Sequence, residues 1–362
     1  MIDRINIRNY KSIKDASVNL HSINVLIGSN GAGKSNFVTF FELVQALLNQ
    51  RLGNYVLQHG GADRLLYCGI KESKFVDGLI DFGNVNAFSF NLEPSINGKL
   101  FINESVSFSN SSANNDKDYT KWLRMECDKA MEESGIIDSC KCEVGYLKNF
   151  LSGFTVFHFH DTSLSSAMRR SCRVSDNRFL RHDGSNLPAV LFRLQQSSPK
   201  VFRLIEAVIR SVAPYFKRFR LQPLETDWDS IKLEWEEVDT DMYLDAASMS
   251  DGTLRFVALA TLLLQNNLPD TIVIDEPELG LHPSAINKLA GLLKRASTQS
   301  QIVIATQSVN LVNCFEPEDI IVVDRLNNQS VFRRLDSNTL DNWLSDYSLG
   351  DIWEKNIIGG QP

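Results

Sequence analysis

The chain has 362 residues, 43% of them apolar and 22% charged, which allows a large packed core and excludes disorder as its main state. Its 37 basic against 44 acidic side chains, a net charge of -7, exclude a wholly basic nucleic-acid coat while leaving room for a local basic patch. No run approaches the roughly 18 apolar residues of a membrane helix, and Met1–Arg4 carries no signal or lipidation pattern, so the expected location is the cytoplasm with no membrane partner.

Ile5, Ile7, Ile13, Val18 and Leu20 alternate as short strands do. Ile23–Ile27 then reads as a buried strand, followed at once by a glycine-rich turn and a helix over Asn36–Leu48. Between about residues 70 and 120 Phe75, Leu79, Phe82, Phe88 and Phe90 are spaced as in hairpins, and Asn110–Asp118 is a polar loop. Trp122–Glu132 is expected to be a helix and Phe154–Phe159 a strand ending at His160. Ser198-Pro199 looks like a capped start for a helix whose apolar stripe runs from Val201 to Val212. The last third alternates strand and helix (271–274, a helix from Pro283, 302–305, 320–323), so the fold class is α/β with a mostly parallel sheet. Trp343, Tyr347 and Trp353 in the tail are expected to pack into the core. The six cysteines are scattered, only Cys140 and Cys142 lie close together, and reduced thiols rather than a zinc site are expected.

Gly28-Ser29-Asn30-Gly31-Ala32-Gly33-Lys34-Ser35 matches G-x-x-x-x-G-K-[ST] between an expected strand and an expected helix. Glycines there let backbone amides close around phosphate oxygens, and the helix N-terminus adds partial positive charge. Asn30, Gly31, Ala32, Gly33, Lys34, Ser35 and Asn36 are the expected nucleotide contacts, with Lys34 on the terminal phosphates and Ser35 offering its hydroxyl to Mg2+. The apolar strand Thr271–Ile274 ends in Asp275-Glu276, which gives Asp275 as the second Mg2+ residue and Glu276 as the group that orients and deprotonates water.

Ser248-Met249-Ser250-Asp251-Gly252-Thr253-Leu254-Arg255 precedes an apolar helix and lies upstream of Asp275. With the phosphate loop and the acidic strand end it resembles the ABC-type ATPases, in particular their RecF-like, SMC-type and OLD-like members. Glu276-Pro277-Glu278-Leu279-Gly280-Leu281-His282-Pro283 resembles the E-P-E-x-x-L-H-P run at the D-loop of the RecF- and OLD-like groups. The opening Ile2–Ile13, Arg181–Leu187 and Leu349–Trp353 are similar to a compact group of these ATPases without a coiled-coil arm.

The resemblance implies a P-loop NTPase of ABC-head type with an antiparallel β-subdomain and a helical insertion. Its core spans 1–70 and 240–335, followed in chain position by a β-rich insertion over 71–150, a strand and helical subdomain over 151–239 and a helical tail over 336–362. It implies ATP and Mg2+ as cofactors and a homodimer in which Ser250, Gly252 and Arg255 meet the nucleotide held by the opposite subunit. Gln307 stands where many relatives carry a phosphate-sensing histidine, and His160 where they place a residue contacting magnesium and water; His160 joins Ser35 and Asp275 as a metal candidate.

The load is less defined. Arg169, Arg170, Arg173, Arg178 and Arg181 form a basic run, and Lys217, Arg218 and Arg220 a second cluster. They suit phosphate backbones, acidic partners or a solvated face. Related ATPases occur in DNA repair, OLD-like nucleases and phage-defence systems such as Septu and Gabija. Two functions follow: a DNA-linked ATPase of repair or defence, or a regulatory switch subunit controlling a separately encoded, nuclease-like effector without binding DNA.

Overall fold

The computed structural model describes residues 1–83, 85–110, 123–135, 153–240 and 242–361. The chain divides into two units, residues 1–155 with 316–362 and residues 156–315. Cys140, Cys142, Trp122 and most of the polar run from Asn110 lie outside the described residues.

In the first unit, β1 (Arg4–Tyr10) and β2 (Ile13–Asn19) form a hairpin, and β3 (Ile23–Ile27) leads through the glycine-rich turn into α1 (Lys34–Leu48). Then come β4 (Val76–Asp81), β5 (Asn86–Pro94), β6 (Leu100–Ser109) and β7 (Leu123–Met131). An antiparallel sheet runs in the order β2-β1-β4-β5-β6-β7. β3, buried at every position, pairs in parallel with Ile320–Leu326, which pairs antiparallel with Gln329–Arg334. α1 buries Phe37, Phe40, Phe41, Val44 and Leu47, the spacing of one helical face. Phe40 stacks on Phe90 of β5 at 5.9 Å and Phe37 meets Phe332 at 5.4 Å. Each such ring contributes about 1.5–3 kcal/mol by leaving water, and this packing fixes the direction in which α1 leaves the turn.

Two expectations fail here. The helix over 122–132 is instead β7, paired with β6 in a register that sets Asp128 opposite Ser105. Asp128 is buried and accepts from the Ser105 and Ser134 hydroxyls at 2.8 and 2.7 Å and from the Gly135 N–H at 2.7 Å. Those cross-strand bonds outweigh the segment's weak helical spacing, whose ends Leu123 and Met131 are exposed. Of the three tail aromatics expected in the core, Trp353 is buried, its indole N–H donating to the Gly360 carbonyl. Trp343 and Tyr347 are 42% and 39% exposed and pack on each other at 6.1 Å; the helix carrying Trp343, Ser337–Leu344, buries only Leu340, and Tyr347 lies in the turn beyond it.

In the second unit, Thr271–Asp275 pairs in parallel with Gln301–Thr306, setting Asp275 beside Ala305. The helix Asp251–Leu264 is buried along almost its whole length, and Pro283–Ala296 and Pro199–Val212 bury one face each. Pro199 opens its helix as expected, but the Ser198 side chain does not cap it; the hydroxyl accepts from the Asn266 amide at 2.9 Å. Phe216–Arg220, Glu234–Glu237 and Tyr243–Asp245 make a small antiparallel sheet. There Lys217, Arg218 and Arg220 converge on the buried Glu236 at 3.6, 2.8 and 2.8 Å, so the second basic cluster is spent on one carboxylate.

Candidate nucleotide site

The turn 28–33 joins β3 to α1, and α1 begins at Lys34 with Gly33 as its cap residue at φ 117°. No side chain caps this end and no acidic residue stands in its first turn, so the first amides and the positive end of the helix dipole remain available to an anion. The Lys34 side chain is folded back, its ammonium donating to the Gly28 and Ser29 carbonyls at 2.7 and 3.1 Å. Gly33 is demanded twice over: besides its positive φ, a Cβ there would lie 2.0 Å from the Ser330 hydroxyl oxygen.

Two residues that no motif marks pin this turn. Ser330 donates its hydroxyl to the Ala32 carbonyl at 2.5 Å and is bonded to the Ser12 hydroxyl at 2.6 Å. Asn36 donates its side-chain amide to Ser12 at 2.6 Å, so it braces the turn with an amide expected to meet nucleotide. Asn30, Gly31 and Ser35 are exposed, whereas Ala32 is buried. A hollow of about 460 Å³ elsewhere in this unit, lined by Asn6, Arg8, Asp77, Asn91 and Glu104 among others, contains no residue of the turn.

In the second unit, Glu276 follows the strand carrying Asp275, its N–H donating to the Ala305 carbonyl at 2.8 Å. It adopts φ 41°, a left-handed conformation that costs a non-glycine residue about 1–3 kcal/mol and is concentrated at functional positions. The Gln307 side-chain amide donates to the Glu276 carboxylate. Glu278, which no site assignment included, is buried; it accepts from the Thr306 hydroxyl and, at 3.3 Å, from the Gln307 backbone N–H. Burial pushes its carboxyl above the ordinary range, although the bonds from Thr306 and Gln307 oppose this. The second glutamate of the E-P-E run thus holds the strand exit from which Gln307 reaches Glu276.

His160 lines a small cleft with Phe159, Arg255, Asp275, Glu276 and Pro277. Burial lowers its imidazole pKa, with the Arg255 and His158 charges acting the same way and the Asp275 and Glu276 carboxylates opposing them. Neutral imidazole is therefore favoured near pH 7.

Ser250 is the cap of the helix Asp251–Leu264. It is exposed, accepts from the Thr253 N–H at 3.2 Å and donates to the Thr253 hydroxyl at 2.8 Å. At Gly252 a Cβ would lie 2.4 Å from the Gly280 carbonyl oxygen, so the turn at Ser250, called the signature turn for its resemblance to the ABC-type ATPases, touches the backbone of the D-loop-like run where the glycine stands. Arg255 departs from the expectation of an outward contact. It is buried, donating to the Phe159 and His160 carbonyls, both at 2.9 Å, because one helical turn beyond the cap its side chain faces the interior of its own unit.

The basic run also divides. Arg169 is turned inward onto the signature turn, with a side chain only 4% exposed. Arg181 is paired with Asp176 at 2.7 Å, Arg178 lies over the Phe179 ring at 5.3 Å, and Arg170 donates to the Ser165 carbonyl at 2.6 Å. Arg170, Arg173, Arg178 and Arg181 remain exposed. Among the described residues no cluster of three or more His, Cys, Asp or Glu side chains could hold a metal by itself, and no helix is long and apolar enough to cross a membrane.

Residues 1–149 match the AAA ATPase domain, and residues 143–313 match the AAA domain described as "putative AbiEii toxin, Type IV TA system". The Old nuclease of Escherichia phage P2 is 22% identical over 93% of the chain, which spans 61% of that protein. The energy-coupling factor transporter ATP-binding protein EcfA2 of Staphylococcus aureus (strain USA300) is 30% identical over 102 residues, 26% of this chain and 34% of that protein. The chain therefore spans about three fifths and one third of these two relatives. An SMC head bound to the C-winged helix domain of ScpA superposes over 93% of this chain and 99% of that one, with a TM-score of 0.62 at 14% identity. The SMC head of Pyrococcus furiosus with an extended coiled coil, bound to the C-terminal domain of ScpA, covers 95% of this chain and 98% of its own, with a TM-score of 0.59 at 13% identity; both likenesses concern fold. The two stretches that resemble AAA domains together run from residue 1 to 313, and the chain has the P-loop ATPase fold of an SMC head.

Proposed function

We propose that this ATPase hydrolyses Mg2+–ATP as a head-to-tail homodimer with two composite sites. The observation that carries the proposal is the exposed Ser250 at the cap of the signature helix, beside a Gly252 whose lack of a side chain brings the turn onto the D-loop. A serine at an exposed helix start can turn its hydroxyl from Thr253 to an anion brought by another molecule.

The phosphate turn binds through its uncapped amides, and Lys34 exchanges the Gly28 and Ser29 carbonyls for phosphate oxygens. Ser35, exposed at the start of α1, and Asp275, at the end of its strand, each offer a hard oxygen of the kind Mg2+ favours; the ion, when bound, would neutralise charge on the terminal phosphates. Glu276 takes a proton from water on the carboxylate oxygen that Gln307 leaves free, and Gln307 fixes the carboxylate's orientation. Gln307 and Glu276 orient the attacking water, while Ser250 and Gly252 of the other copy close over the γ-phosphate.

The composite site has a direct complementation test. Lys34→Ala removes the gripping half and Ser250→Arg the capping half, so each protein alone is inactive. Mixed in equal amounts they form heterodimers with one intact site, and ATPase activity reappears. A mixture as inactive as its components contradicts composite sites.

The cycle's load follows one of two readings. In the DNA-linked reading, ATP closes the pair on duplex DNA and the exposed Arg170, Arg173, Arg178 and Arg181 meet phosphates. In the switch reading, the ATP state controls a separately encoded effector. That reading is favoured by the inward commitment of Arg169 and the convergence of Lys217, Arg218 and Arg220 on Glu236. Stimulation of turnover by duplex DNA decides for the first, and its absence together with co-purification of a neighbouring gene product decides for the second.

A further inference from the structure

We propose that Arg169 is a positioning residue: it holds the signature turn in the shape that presents Ser250 and ties that turn to the loop carrying His160. Its guanidinium donates hydrogen bonds to three segments. Nε donates to the Thr162 carbonyl at 2.9 Å, Nη1 to the Ala246 carbonyl and, at 3.1 Å, to the Met249 carbonyl, and Nη2 to the Asp251 carboxylate at 2.7 Å. These acceptors bracket Ser250, with Ala246 and Met249 before it and Asp251 after it as the first residue of the helix.

The arginine itself has a fixed base. It ends the short turn Ala167–Arg169, whose middle residue, Met168, is buried against Gly184, a glycine at φ 70° where a Cβ would lie 2.8 Å from the Met168 Cγ. Anchored at the backbone and holding four hydrogen bonds at the head, the side chain works as a strut. A lysine offers one compact ammonium in place of a planar fork and cannot serve the Ala246 and Met249 carbonyls together with Asp251 and Thr162.

The Thr162 bond gives the strut a second end. Arg255, one turn into the signature helix, bonds the Phe159 and His160 carbonyls, so residues 159–162 are gripped by two arginines, Arg169 and Arg255. A displacement of the His160 loop is thereby transmitted to the turn presenting Ser250, because a buried polar network that loses one bond exposes the others to a desolvation cost. The brace is a statement about this chain alone. Its consequence for turnover rests on the composite-site reading.

The experiment compares full-length wild type, Arg169→Ala and Arg169→Lys. Hydrogen exchange without nucleotide is read on peptides covering 246–253, with the helix body 256–264 reporting whether the fold is intact. Both variants are expected to exchange about tenfold or more faster in the turn, with 256–264 unchanged, as loss of charge-assisted bonds implies. Unchanged exchange in the turn of either folded variant overturns the brace. With ATP, the variants are expected to keep the wild-type nucleotide dissociation constant within about twofold while kcat falls about tenfold or more. A loosened turn with wild-type kcat overturns the positioning role. Ser250→Arg, measured alongside, separates the two ideas: if it too leaves kcat unchanged, the composite reading fails, while the exchange result still decides the brace.

Discussion

The side-chain amide of Gln307 donates to the carboxylate of Glu276, a residue held at φ 41° directly after the strand that carries Asp275. Glutamine donates there at any pH, since it has no titrating group. Gln307→Ala is expected to lower kcat by about tenfold to a hundredfold, the range for a group that orients an acid–base catalyst, with nucleotide binding retained. Gln307→His is expected to add a limb to the pH–rate profile near the ordinary imidazole value of about 6.5. Below it the imidazolium pairs with Glu276 and weakens it as a base, so turnover rises with pH through that region. Superimposable profiles for the two proteins contradict this role.

Gly33 and Gly252 allow a paired test. Gly33→Ala puts a Cβ against Ser330 at a left-handed φ, and Gly252→Ala puts one against the Gly280 carbonyl. Each is expected to destabilise by about 1–3 kcal/mol through local overpacking. Only Gly33→Ala is expected to abolish nucleotide binding, whereas Gly252→Ala binds normally and loses turnover. Thermal unfolding with a fluorescent nucleotide titration reads both, and equal binding by the two variants contradicts the division of labour.

The half-buried His160 makes stability depend on pH in a defined direction. Its pKa is lowered in the folded state, so from pH 7 downward through the unfolded value of about 6.5 the unfolded chain takes up the proton first and stability falls. His160→Gln removes that part of the loss. Urea unfolding at pH 7.5 and 5.5 measures it, and an equal drop in wild type and variant contradicts the burial of this imidazole.

If duplex DNA stimulates turnover, neutralising Arg170, Arg173, Arg178 and Arg181 is expected to weaken binding and flatten the dependence of log K on log salt by about 0.9 for each phosphate that is no longer neutralised. Arg169 does not belong in that set, since its removal disturbs the signature turn. An unchanged salt slope contradicts phosphate binding by this run.

The parts of the molecule legible from sequence are those whose cause is local. The G-x-x-x-x-G-K-[ST] turn lies between a continuous apolar strand and a helix with its stripe at Phe37, Phe40, Phe41 and Val44, and all three are visible within thirty or so residues. Asp275-Glu276 and Ser250 fall at strand and helix ends that periodicity marks. What escaped depends on distant partners. Ser330 meets Ser12 from the far end of the chain, β7 is a strand because Asp128 finds Ser105, and Glu278 matters through Thr306 and Gln307. Arg169 misled for the same reason: in a run of arginines it reads as surface charge until Met249, Asp251 and Thr162 are seen around it.

Glu276→Gln keeps the shape of the side chain while removing the base, so ATP binds and is not consumed. Light scattering during size-exclusion chromatography of this variant tests the composite site most directly. With saturating Mg2+–ATP its mass is expected to double from the 40.8 kDa of one chain and to return to that of one chain when Ser250→Arg is added. A Glu276→Gln protein that binds ATP and stays a monomer contradicts the shared site.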